Sequence, residues 1–237
     1  MIVITEKDLF HVHTYRCGHA EEVEDEAYIK RAIELNTRSI WFSDHAPFPG
    51  NPFGSRMGIE QLEEYLTTLC VLKERYKGVI DVHTGLETEY FPSFDKEGYY
   101  KKLKADERMD FLLLGQHMAE TGDKEYSFSW DKERLKKEEY LVLGNAVIDG
   151  IKSGYFDAVA HPDRVFRRLK GWTLEAEEMA NRIVKAAKEH NIPLEMNLYS
   201  MRQKNLYRPE FWELAEGCDR IIGLDAHSVE ELNQCRR

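Results

Sequence analysis

Imidazoles and carboxylates recur wherever a short apolar run of this chain ends. The runs close in His11-Val12-His13, Asp44-His45, Glu87, Gln116-His117, His161-Pro162-Asp163 and Asp225-Ala226-His227. The i, i+2 spacing of His11 and His13 puts both side chains on one face of a strand. His19 follows in a polar loop that can fold back over the same place. Neutral imidazole together with ionised carboxylate is a donor set for Zn, Mn or Fe, and it does not choose among them. His11, His13, His19, His45, Glu87, His117, His161, Asp225 and His227 make nine candidate ligands. At about three protein ligands for each catalytic ion, they predict about three divalent metal ions, with Glu87 shared between sites.

Such a cluster favours one reaction class. Two ions ~3.5–4 Å apart clamp the attacking and leaving oxygens of an in-line displacement and lower the pKa of bound water towards ~7. The expectation is hydrolysis of a phosphate ester by attack of metal-bound hydroxide on phosphorus, with Asp225 and His227 as catalytic residues. Arg164 and Arg202 follow the fifth and sixth apolar runs, where a guanidinium can bind phosphate oxygens in a bidentate manner. Arg16, between His13 and His19, is a third candidate. Asp44 either orients His45 or caps the loop that follows. The remaining polar candidates read as structural: Cys17 as a buried thiol, His83 as an interior residue four positions below Glu87, and His190 as a cation at a helix C-terminus.

The apolar runs read as strands at 9–13, 39–44, 79–87, 110–117, 156–161, 192–197 and 221–225. Between them lie stretches of helical spacing, such as Tyr28, Ile29, Ala32, Ile33 and Leu35, or Ile59, Leu62, Leu66, Leu69 and Leu72. A long helix is expected at 131–153. Another should be capped by Thr173 with Glu175, Glu177 and Glu178 in its first turns, and Pro209 suits the first turn of a short one. Seven strands separated by helices imply a parallel sheet of βα units. So many repeats favour a closed barrel of seven strands, a single domain over 1–237, with its site at the C-terminal strand ends. Only the sixth strand lacks an ionisable group there, ending in Asn197.

Composition narrows the class further. The 237 residues carry 33 Lys+Arg against 43 Asp+Glu, a formal net charge of −10, and 42% are hydrophobic, enough for a core. The acidic balance argues against tracking a nucleic-acid backbone. No run of ~20 apolar residues predicts a membrane span, and no basic start followed by a long apolar stretch predicts secretion. Four cysteines (Cys17, Cys70, Cys218 and Cys235) lie far apart, as reduced thiols of a cytoplasmic protein would.

The order of these motifs resembles the polymerase and histidinol phosphatase (PHP) superfamily. Phe42-Ser43-Asp44-His45-Ala46-Pro47 and Leu114-Gly115-Gln116-His117 are the most telling stretches, and within the superfamily the chain looks like the monofunctional histidinol-phosphatases. The resemblance runs from residue 9 to about 230. It implies a distorted (β/α)7, TIM-like barrel with a trinuclear centre. One ion would take His11, His13, Glu87 and Asp225, a second Glu87, His117 and His161, and a third His19, His45 and His227. The implied reaction is hydrolysis of L-histidinol phosphate to L-histidinol and phosphate in histidine biosynthesis. The ammonium and imidazole of that substrate call for a carboxylate and a flat wall, and Glu120 is the candidate carboxylate. Met118 departs from the pattern, in which Ser-Val or similar is expected after the strand-four His. The rival expectations are a PHP-type phosphoesterase for another small ester or a nucleotide, an amidohydrolase-like hydrolase, and a non-catalytic metal-binding protein. His117 stands where an amidohydrolase commonly carries a bridging lysine.

Overall fold

Seven parallel strands alternate with helices around one axis in the computed structural model, which describes residues 2–122, 124–203 and 205–236, with side chains as far as 234. The Cys235 thiol lies outside that description. The strands of the barrel are β1 (Asp8–Val12), β2 (Ser39–His45), β3 (Asp81–Thr88), β4 (Phe111–Leu114), β7 (Ala158–Val159), β8 (Leu194–Asn197) and β9 (Arg220–Gly223), hydrogen-bonded in that order. A hairpin of β5 (Glu120–Gly122) and β6 (Glu125–Tyr126) stands apart, in a segment where the sequence suggests only a polar loop. The two sheet edges meet after β9. His13 N donates to Ala226 O at 2.9 Å, Ala226 N to His11 O at 3.1 Å and Leu224 N to Phe10 O at 2.9 Å. This seam all but closes the sheet into the expected distorted (β/α)7 barrel.

The connecting helices are α1 (Asp25–Glu34), α2 (Leu62–Arg75), the short α3 (Pro92–Lys96) and α4 (Tyr99–Ala105), α5 (Lys132–Ser153), α6 (Leu174–His190), α7 (Leu198–Arg202) and α8 (Pro209–Leu214). Asp131 caps α5 by accepting from Glu133 N and Arg134 N, and Thr173 caps α6 through Ala176 N. Ile59 precedes α2 in a 3-10 turn and is exposed, so the apolar face of that helix begins at Leu62.

Two apolar clusters divide the barrel. The larger fills the layer between strands and helices, where Leu9, Val12, Ile40, Phe42, Leu86 and Leu112 point outward. The smaller, formed by Phe10, Trp41, Phe111, Leu113, Ala158, Ala160 and Ile221, plugs the interior from below. His83 stacks on Trp41 at this level, with 3.7 Å between ring centroids. Above the plug the interior is polar.

Candidate metal centre

The strand alternation that sends Phe10 inward would send His11 outward. A β-bulge prevents this. The β1–β2 register shifts between Phe10 and Val12, and His11 takes a left-handed φ of 67°. The extra residue turns inward, so Phe10, His11 and His13 all face the interior while Val12 faces the helices. His161 (φ 30°, after inward Ala160) and Asp225 (φ 55°) repeat the device. Left-handed backbone is strained for residues bearing a Cβ, and here it falls on three of the candidate ligands.

Glu87 is the hub of the ring. Its Oε2 lies 3.5 Å from His11 Nε2, 3.6 Å from His13 Nε2 and 3.1 Å from His45 Nδ1, while Oε1 lies 2.8 Å from His161 Nε2 and 3.7 Å from His117 Nε2. Room for this carboxylate depends on Gly115, where a Cβ would stand 2.0 Å from Glu87 Oε1. Asp225 Oδ1 lies 3.3 Å from His13 Nε2 and 3.7 Å from His11 Nε2. Above them His227 Nε2 and His19 Nε2 are 3.0 Å apart, with His45 completing a second donor group. His11, His13 and Glu87 form one compact set, and His45, Glu87 and His117 another.

Burial makes this arrangement costly without a cation. Glu87, Asp225, Asp44 and Glu195 are buried together. Burial opposes charge on His11, but Glu195, Glu87 and Asp225 outweigh it and hold its pKa well above the ordinary range. Against the same burial, Asp225 and Asp44 bring His13 to about 9. Burial pushes His45 well below its ordinary value; burial and Arg164 take His161 to about 4, and burial and His13 take His227 to about 3. Although burial would raise Glu87 and Asp225, the surrounding imidazoles hold Glu87 well below the usual carboxylate range, and Arg164, His11 and His13 do the same for Asp225. Four buried atoms of the ring, His11 Nε2, His13 Nδ1 and Nε2, and Glu87 Oε2, have no hydrogen-bond partner among the described residues. A buried polar atom left unpaired is costly, whereas a cation among these donors would engage Nε2 of both histidines and the carboxylate. The donor set fits divalent metal.

The outward sides of the candidate ligands His11 and His161 are also fixed. His11 Nδ1 meets Glu195 Oε1 at 2.6 Å, and Glu195 Oε2 accepts from His161 N at 3.0 Å. Gly223 makes space for this carboxylate, since a Cβ there would fall 1.6 Å from Glu195 Oε1. Asp44 Oδ1 accepts from His45 N at 2.8 Å and lies 3.5 Å from His13 Nδ1, so its carboxylate faces the His13 ring without a hydrogen bond to it. The thiol of Cys17 donates to Thr14 O at 3.2 Å, and burial pushes its pKa up to about 12.

A cavity of about 460 Å³ opens over the ring, lined by His19, His45, His117, Asp225 and His227 together with Ser55, Arg56, Arg164 and Tyr199. Arg164 lines it, giving Nη2 to Asp225 Oδ2 at 2.7 Å and to Ser200 Oγ at 2.8 Å. Three of the expected substrate-binding residues lie away from this cavity. Arg202, at the exposed end of α7, bonds to Gln234 and lines a different surface depression. The Glu120 carboxylate accepts from Ser93 N at 2.9 Å, capping the first turn of α3 outside the cavity. Buried Arg16 is held by Glu64 at 2.6 and 2.9 Å and by Asp25 at 2.9 Å, tying the loop after β1 to α1 and α2. Conversely, Arg56, Glu89, Glu195 and Tyr199 belong to the site and escaped the sequence reading. Glu89 and Glu195 carried a signal: Glu89 stands two residues past Glu87, and Glu195 is an acid inside an apolar run.

A family model described as the PHP domain matches residues 10–198. Over 166 residues the chain is 30% identical to a protein from Deinococcus radiodurans described as a probable histidinol-phosphatase, a match that takes in 65% of this chain and spans only 59% of that relative. It is 24% identical over 255 aligned positions to the histidinol-phosphatase of Bacillus subtilis (strain 168), covering 94% of each chain. A crystal structure of histidinol phosphate phosphatase from Lactococcus lactis, complexed with zinc, L-histidinol and phosphate, has the same fold, with a TM-score of 0.71 at 21% identity over 98% of this chain and 91% of that one.

Proposed function

The chain belongs to the PHP domain family, and from that premise we propose that it is a metal-dependent phosphomonoesterase that hydrolyses L-histidinol phosphate to L-histidinol and phosphate in histidine biosynthesis. The observation that carries this reading is the convergence of the histidine and carboxylate ring with Arg164 on one cavity. Relatives named for this activity support it.

His11, His13, Glu87 and Asp225 would hold one ion, Glu87, His117 and His161 a second, and His19, His45 and His227 a third, each being Zn, Mn or Fe. Bound there, divalent cations would supply Lewis acidity towards a phosphoryl oxygen and acidify a water molecule. The guanidinium of Arg164 would bind phosphate oxygens that face away from the ring. Asp225 would handle the proton of the attacking water, with its Oδ2 engaged by that guanidinium at 2.7 Å and its Oδ1 facing His13 and His11. His227 stays neutral at pH 7 and can lend a lone pair to an ion, but it is a poor store for a proton. Tyr199 offers the flat wall for the imidazole of the substrate, with Arg56 and Ser55 at the same rim. The small cavity and the −10 charge favour a small ester over nucleic acid, and the free Cys17, Cys70 and Cys218 suit a cytoplasmic location.

The experiment is a comparison of kcat/KM for L-histidinol phosphate, nucleoside monophosphates and an aryl phosphate with metal-reconstituted protein. Preference for histidinol phosphate supports the assignment. Efficient hydrolysis of nucleotides with none of histidinol phosphate would replace it with another phosphoesterase.

A further inference from the structure

Glu89 follows Glu87 by two residues and leaves β3 on the same face. It is 1% exposed. Its Oε1 lies 3.2 Å from His117 Nδ1, and its oxygens receive Arg56 Nη1 and Nη2 at 2.9 and 3.0 Å. A two-pronged guanidinium contact of this kind fixes the plane of the carboxylate. Arg56 is itself held, donating to Ala46 O at 3.2 Å with its guanidinium 5.6 and 5.3 Å from the Phe48 and Phe53 ring centroids.

Paired with a guanidinium, the Glu89 carboxylate is ionised and can only accept hydrogen bonds. It meets His117 Nδ1 within bonding distance only if that nitrogen carries the proton. The lone pair of His117 is then on Nε2, the nitrogen 3.7 Å from Glu87 Oε1. We propose that Glu89, clamped by Arg56, is a positioning residue that selects the Nδ1–H tautomer of His117 and so presents Nε2 to the metal centre. Such partners of ligating histidines fix both ring orientation and proton position. The clamp also ties the loop after β2, which lines the cavity through Ser55 and Arg56, to a ligand at the end of β4. This inference rests on the metal-centre reading.

Two double variants isolate the effect. Arg56→Met/Glu89→Gln and Arg56→Met/Glu89→Met both abolish the ion pair, and only the first leaves an acceptor for His117. With zinc alone as probe, chelator competition should show the Met/Met protein holding one of its ions, the one His117 would ligate, about 10–100-fold less tightly than the Met/Gln protein, while the two metal-free proteins melt alike. Equal zinc affinities would overturn the proposal. Nitrogen-15 NMR of the zinc-loaded native protein needs no variant: His117 should show a protonated Nδ1 and a ligated Nε2, and ligation through Nδ1 would overturn it. Native protein that binds no zinc, manganese or iron would instead remove the metal-centre reading beneath it.

Discussion

Glu87 stands within 4 Å of five imidazoles, whereas His19 sits at the exposed rim with His45 and His227. Glu87→Ala should therefore strip more metal than His19→Ala, and elemental analysis of the two proteins after identical reconstitution checks the order. Arg164→Met should remove a charge-assisted hydrogen bond of about 1.5–3 kcal/mol, a loss of roughly ten- to hundredfold in kcat/KM. Arg202→Met should change kcat/KM by less than about twofold, because its guanidinium is spent on Gln234 at the surface. Steady-state kinetics on histidinol phosphate separates the pair, and a larger loss from Arg202→Met would reverse their roles. These residues also show what a sequence conceals. Neighbourhood in the chain placed Arg16 between two candidate ligands, yet its side chain runs outward to Glu64 and Asp25. Glu120 is three residues from His117 and points to the start of α3. Spacing gives direction on a regular strand and gives none in a loop.

At the scale of elements, the sequence was most readable where the pattern of two is strict. The ends of β2 and β3 pair in register, Asp44 with Leu86 and His45 with Glu87, so the candidate ligands there follow from strand alternation. The ends of β1 and β7 break the pattern through the left-handed His11 and His161. Their types were legible, but their inward direction depends on backbone that no periodicity reveals. Glu195 hid within an apolar run that reads as core, although an acid there needs a polar partner, which His11 provides. The turn after β7 bears a separate test. Asp163 is buried and accepts from Arg208 N at 2.8 Å, and burial pushes its carboxyl from 3.8 up to about 6. With the folded pKa raised, the ionised form is the costly one: full stability is present below pH about 4 and is lost as pH rises through about 6. Asp163→Asn keeps an acceptor and never ionises. Measured by urea unfolding of metal-free protein, it should gain about 1–3 kcal/mol over the native chain at pH 7.5, with no gain at pH 4. A gain that is the same at both pH values would mean that packing, and not charge, is responsible.

For the whole molecule, an apolar plug below and a ring of charge above split one barrel into a stabilising half and a chemical half. The lower half was legible as seven apolar runs. The upper half was legible as donors, though not as the carboxylate–arginine framework of Glu89, Glu195 and Arg56 that orients them. That framework and the unpaired nitrogens of His11 and His13 describe a protein built around cations, so the barrel and its metal complement should depend on each other. The most direct measurement is a titration of chelator-treated, metal-free protein with zinc or manganese, following phosphate release from L-histidinol phosphate against equivalents added. The metal-free chain should release no phosphate, and activity should rise to a plateau at about three equivalents, in keeping with about three protein ligands per ion. Release by metal-free protein, or a plateau at a single equivalent, would contradict the metal-centre reading.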